Sequence, residues 1–148
     1  MSNTAEQIRS WKGPAVLTYG FRPFFLGAAS WAALAMLLWV PMISGHLTLP
    51  SALDPASWHA HEFLFGYLLA VVAGFLLTAV PNWTGRLPIV GWPLGGLFGL
   101  WVMGRVAVAF SQSFSPITVA FLDLSMPAVL AIVITREIVA GKNWRNLI

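Results

Sequence analysis

The chain has 148 residues, of which 58% are hydrophobic and only 9% charged, and its mean hydropathy is +0.78. A water-soluble domain carries roughly a quarter charged residues, so this composition excludes a water-facing surface and points to an integral membrane protein. The formal charge of +3 comes without a basic stripe, which argues against nucleic acid as a partner, and the lack of cysteine removes thiolate metal sites, iron–sulfur clusters and disulfides.

In chain order, residues 1–22 carry Arg9, Lys12 and Arg22 ahead of the first apolar stretch, 24–43. That stretch is longer than the core of a signal peptide, and no convincing small-residue cleavage site follows, so it reads as a retained helix. The polar connection 44–54 holds His46, which reads as solvated. Asp54-Pro55 supplies an N-cap and a first-position proline for the second stretch, 55–80, and Pro81 is expected to end it. The third and fourth stretches, 89–110 and 116–135, open near Pro93 and Pro116, and Pro127 predicts a kink in the fourth. Each has about the 20 residues needed to cross a hydrocarbon core. The fold class is therefore all-α: a polytopic membrane protein with four transmembrane helices, about 24–43, 55–80, 89–110 and 116–135, in one membrane domain.

Basic residues set the expected orientation. Arg9, Lys12 and Arg22 lie in the N-terminal segment, Arg86 in the second connection, and Arg136, Lys142 and Arg145 in the tail 136–148. The connections 44–54 and 111–115 hold no Lys or Arg. The positive-inside rule then places both termini in the cytoplasm. Trp39 and Trp58 are expected in the outer interfacial belt, Trp83 and Trp92 in the inner one.

Chemistry concentrates at Trp58-His59-Ala60-His61-Glu62, which holds two of the chain's three histidines and one of its five carboxylates. Imidazole is a common ligand for haem iron and copper, so His59 and His61 are candidate metal ligands, and His59, His61 and Glu62 candidate cofactor-binding residues. On a regular helix His59 and Glu62 lie about 60° apart, whereas His61 lies roughly 200° from His59. His59 and Glu62 therefore share a face, continued by Gly66, Ala70, Gly74 and Thr78. Such a small-residue stripe admits close approach by a helix or a flat ligand. His61 is expected to look elsewhere, toward helices outside this chain. The alternative is plain packing, with polar side chains in wet headgroups.

A second constellation lies deeper. Arg105 interrupts the third stretch and Asp123 the fourth. The short connection makes these helices antiparallel neighbours, and at about 1.5 Å per residue the two positions differ in depth by roughly 3 Å. An intramembrane ion pair, Arg105–Asp123, is expected, because an unpaired charge at that depth is costly. Gly91, Gly95 and Gly99 have GxxxG spacing and offer a mate for the second helix.

Longer motifs carry a family resemblance. Gly20-Phe21-Arg22-Pro23-Phe24-Phe25, Trp58-His59-Ala60-His61-Glu62, the run from Gly74 through Arg86, Gly104-Arg105 and Asn143-Trp144-Arg145-Asn146-Leu147 together resemble the NnrS family. The resemblance implies a multi-pass protein of the bacterial inner membrane that contains haem (heme) and copper. It further implies a role in the nitric-oxide response during denitrification or nitrosative stress. It also implies that this chain corresponds to the N-terminal third of a longer protein. The expected partners are then the lipid bilayer, the missing C-terminal helices or other membrane subunits, and nitric oxide. Two other classes fit the residues: a transporter or channel fragment with Glu62, Arg105 and Asp123 along a polar path, and a structural four-helix module without chemistry.

Overall fold

The computed structural model describes residues 6, 8, 10–86 and 88–142; Arg9, Arg145 and the motif 143–147 lie outside them. It is all-helical, with no strand among the described residues. Four helices are long and apolar enough to cross a membrane: α1 (Phe21–Ile43), α2 (Pro55–Thr84), α3 (Trp92–Ala109) and α4 (Pro116–Ala140). Short 3-10 turns at Ala15–Thr18 and Ser111–Ser113 lead into α1 and join α3 to α4.

The helix ends follow local chemistry. Asp54 accepts from the backbone N–H groups of Ala56 and Ser57 at 3.0 and 3.1 Å, closing the open first turn of α2 beside Pro55. Ser115 caps α4 in the same way through Thr118 N–H. Pro81, expected to end α2, lies inside it; the helix continues to Thr84 and stops at Gly85, whose φ of +68° only glycine adopts readily. A membrane helix tolerates the lost N–H of a proline when neighbouring groups take up the freed carbonyl environment. Gly20 packs directly on Leu77, the residue whose carbonyl Pro81 frees. α4 likewise runs on through Pro127.

α2 is the hub. It packs against α1 along its length and against α4, while α3 pairs chiefly with α4. The main core joins Phe24 and Ala28 of α1, Ala70, Ala73 and Leu77 of α2, Leu94 and Trp101 of α3, and Met126 and Leu130 of α4. The exterior is apolar: Leu37, Ile117 and Phe121 expose 72, 82 and 73% of their surface. In water such patches drive aggregation, and in a bilayer they are the natural contact with lipid. The Gln112 N–H donates to Pro50 C=O at 3.0 Å, tying the α1–α2 and α3–α4 connections together at one end of the bundle. Gly91 N–H donates to Leu17 C=O at 2.8 Å, tying α1's leading turn to the start of α3 at the other.

The small-residue stripe of α2 faces α1. A Cβ on Gly66 would meet the Trp31 indole, and one on Gly74 would meet Phe24 and Phe25. The groove is therefore filled by aromatic side chains of the same chain. The GxxxG of α3 is not its mate, since Gly91 and Gly95 lie against Trp11 and Leu17 and Gly99 faces open space. The glycine of α3 that permits close approach is Gly104, where a Cβ would come 3.2 Å from the Asp123 backbone. Trp58 departs from the interfacial expectation as well: it is fully buried, packed with Ala35, Met42 and Val108, while Trp83 and Trp92 are exposed.

Candidate functional site

α2 changes pitch where its polar residues lie. Pro55–His61 is α-helical, Glu62–Leu68 is π-helical, and the α-helix resumes at Leu69. A π segment widens the turn, weakens the usual hydrogen-bond ladder and recurs at functional sites. Here Trp101 of α3 reaches in and donates its indole N–H to the Gly66 carbonyl at 3.0 Å, satisfying one backbone group of the widened turn. Gly66 leaves room for Trp31, whose indole N–H donates to Glu62 Oε2 at 2.8 Å.

Glu62 is the centre of a buried ionic ring. Arg105 Nη1 donates to Glu62 Oε2 at 2.8 Å, and Arg105 Nη2 donates to Asp123 Oδ1. His61 closes the circuit, with Nε2 at 3.1 Å from Asp123 Oδ2 and Nδ1 at 3.3 Å from Glu62 Oε1. Glu62, Arg105 and Asp123 are 1, 2 and 7% exposed, so water does not screen these contacts. Two carboxylates face one guanidinium, and the fourth member is an imidazole. Three helices thus meet through charge, toward the bundle end that carries the 44–54 and 111–115 connections: α2 supplies His61 and Glu62, α3 Arg105, α4 Asp123. Gly104 makes the geometry possible, because a side chain there would hold α4 away from Arg105's neighbour.

Arg105 and Asp123 therefore meet within a wider network that also contains Glu62, His61 and Trp31. His61 does not look beyond the chain: its partners are Asp123 on α4 and the adjacent Glu62. On the helix Glu62 lies between the two histidines, about 60° from His59 and about 100° from His61. Side chains as long as these span the larger angle once α3 and α4 are packed against that side. Trp31 had no sequence signal beyond the general need of a buried indole N–H for an acceptor.

His59 has a different setting. Its ring stacks on Trp39 of α1, with centroids 4.2 Å apart and planes at 21°. Its Nδ1 is buried without a hydrogen-bond partner, as are the indole nitrogens of Trp39 and Trp58. Buried polar atoms are rarely left so, and all three belong to the end of α1 and α2 that carries the 44–54 connection. His46, by contrast, is exposed and lies 3.0 Å from the Ser44 hydroxyl.

The ligand sets differ accordingly. His61 has both ring nitrogens engaged by carboxylates, so as arranged it does not fit a metal ligand. His59 keeps one ring nitrogen unpaired and fits a single imidazole ligand. Among the described residues no group of three or more His, Asp or Glu side chains is disposed to hold a metal ion.

The fold and this site define a class: an all-helical chain of the membrane-spanning type, three of its four helices clamped by a buried ionic ring. The family follows from comparison. The model of the NnrS protein family matches residues 15–148, nearly the whole chain, and the chain belongs to that family. No curated protein and no solved structure matches it.

Proposed function

We propose that this chain belongs to a haem- and copper-containing protein of the bacterial inner membrane that acts in the nitric-oxide response or protects against nitrosative stress. Family membership supports the class. The observation that carries the residue-level reading is the buried, unpartnered Nδ1 of His59 beside two unpartnered indoles. His59 would hold a haem through its imidazole, and Trp39 would fix the ring by stacking on it. A haem held in this way would supply an iron centre able to bind nitric oxide. Copper needs more donors than His59 alone offers, so further helices or other membrane subunits would contribute them.

Glu62, Arg105 and Asp123 do not favour the transport reading, because each is hydrogen-bonded to another member of the ring. Both termini are assigned to the cytoplasm on the distribution of Lys and Arg. The test is the absorption spectrum of the full protein purified from membranes. A Soret band that disappears in His59→Ala and survives in His61→Ala is the expected result. A band that survives His59→Ala removes this residue from the haem site.

A further inference from the structure

A groove of about 440 Å³ runs between α1 and α3, lined by Pro23, Leu26, Ser30 and Leu34 on one side and by Phe98 and Trp101 on the other. Trp31 and Trp101 border it with ring carbon, because their indole N–H groups donate to Glu62 and to the Gly66 carbonyl inside the bundle. Its side-chain lining is therefore hydrocarbon apart from the Ser30 hydroxyl. Leu26 and Leu34 are 63 and 44% exposed, so the groove opens to the lipid side.

The length of the groove limits what can lie in it. From Pro23 to Leu34 the helix rises about 16 Å at about 1.5 Å per residue, roughly half of a hydrocarbon core of about 30 Å. Past Leu34 it closes, because Ala35 and Met42 of α1 are buried in one cluster with Trp58 and Val108. A membrane-spanning helix from another chain needs a seat along the whole core, whereas an acyl chain of a single leaflet needs half.

At its other end the groove meets a charge. A recess of about 500 Å³ bordered by Phe21, Arg22 and Phe25 shares Val16 and Leu26 with it, so the two are continuous. Arg22 is exposed, and its Nη1 donates to Ala15 C=O at 3.0 Å and to the Thr18 hydroxyl at 2.7 Å. Its guanidinium lies 4.9 Å from the centroid of the Tyr19 ring. These contacts hold the group in place without neutralising it: among the described residues no carboxylate pairs with Arg22. Its remaining N–H groups match the oxygens of a phosphate. A zwitterionic headgroup carries its own cation beside the phosphate, whereas an anionic one brings the net charge that Arg22 lacks.

We propose that the Arg22 end of α1 binds one anionic phospholipid of the adjoining leaflet. Its phosphate sits on Arg22, and one acyl chain lies in the groove from Leu26 to Leu34 against Phe98. The assignment does not use His59 and requires neither haem nor copper.

Trp31 and Trp101 border the groove, so tryptophan fluorescence reports its occupancy. The test places the full chain in phosphatidylcholine bilayers that contain, at equal mole fraction, phosphatidylglycerol or phosphatidylcholine brominated on the acyl chains, where bromine quenches indole emission on contact. Saturable extra quenching by the phosphatidylglycerol is expected, with an apparent affinity about fivefold higher, the preference that one basic residue gives near an anionic lipid. Arg22→Gln should abolish the preference and Arg22→Lys should keep most of it. Ser30→Phe leaves Arg22 intact but fills the place of the chain, and should remove the extra quenching with helicity and melting unchanged. Equal quenching by the two lipids, or a preference that survives Arg22→Gln or folded Ser30→Phe, would overturn the assignment. So would a second copy of the chain in the groove, seen as a dimer that Ser30→Phe dissociates.

Discussion

His59 and His61 stand two residues apart on one helix, in one motif, and live in opposite chemical settings. His61 is held between two carboxylates in a ring that locks α2, α3 and α4 together. His59 is stacked on an indole with a buried nitrogen that nothing satisfies. The saturated histidine holds helices together, and the other keeps a buried nitrogen without a partner. The lesson is that a histidine's surroundings, not the motif around it, decide whether it is available for a ligand: an imidazole with two strong partners has no lone pair to offer.

The largest effect should come from breaking the saturated side. Arg105→Leu leaves Glu62 and Asp123 buried without their shared cation, and should cost about 3–5 kcal/mol of stability by unfolding in detergent. Replacing Arg105 and Asp123 together should not restore stability fully, because Glu62 remains charged and buried; adding Glu62→Gln should. Equal melting of the single, double and triple variants would show that the ring contributes nothing.

Next comes the contrast itself. His61→Ala should lower stability by about 1–3 kcal/mol, the cost of leaving charged acceptors unpaired, whereas His59→Ala should melt close to the parent. The reverse ranking would exchange the roles assigned to the two residues.

A smaller effect tests how α1 supports the ring. Gly66→Ala places a methyl against the Trp31 indole that donates to Glu62, with an expected loss of about 1–3 kcal/mol. Gly99→Ala meets open space and should stay within about 0.5 kcal/mol. Similar losses at both glycines would mean that the Trp31 contact is not what Gly66 protects.

The smallest is at the cap of α2, upstream of both histidines. The Ser57 hydroxyl, together with the Ser57 and Ala56 backbone N–H groups, holds the Asp54 carboxyl below its ordinary range. A carboxyl depressed in the folded state stabilises the cap above its unfolded value and loses that contribution as pH falls through the folded one. Hydrogen exchange at the Ser57 and Trp58 amides should accelerate in acid, and this acceleration should be absent in Asp54→Asn. Exchange that ignores pH in the parent, or that accelerates equally in both, would remove the cap's role.

Much was legible in the sequence because a bilayer imposes simple rules. Each span needs a long apolar run, so the four helices, the Asp54-Pro55 start of α2 and the proline starts of α3 and α4 could be read directly from residue order. Arg105 and Asp123 were legible as partners because charges so deep must meet something and the short connection set them at similar depth. What the linear pattern did not contain was the third dimension of α2. Regular periodicity makes Pro81 a terminator and sends His61 away from the ring. Neighbour packing overrides both: α2 continues past Pro81 with Gly20 on Leu77, and α4 comes close enough, over Gly104, for Asp123 to reach His61. Which glycines face a neighbour, whether Trp58 lies in an interface or a core, and which of two histidines keeps a free nitrogen depend on what stands opposite each side chain. Spacing along one helix fixes only direction; the occupant of that direction is set by how the other three helices pack.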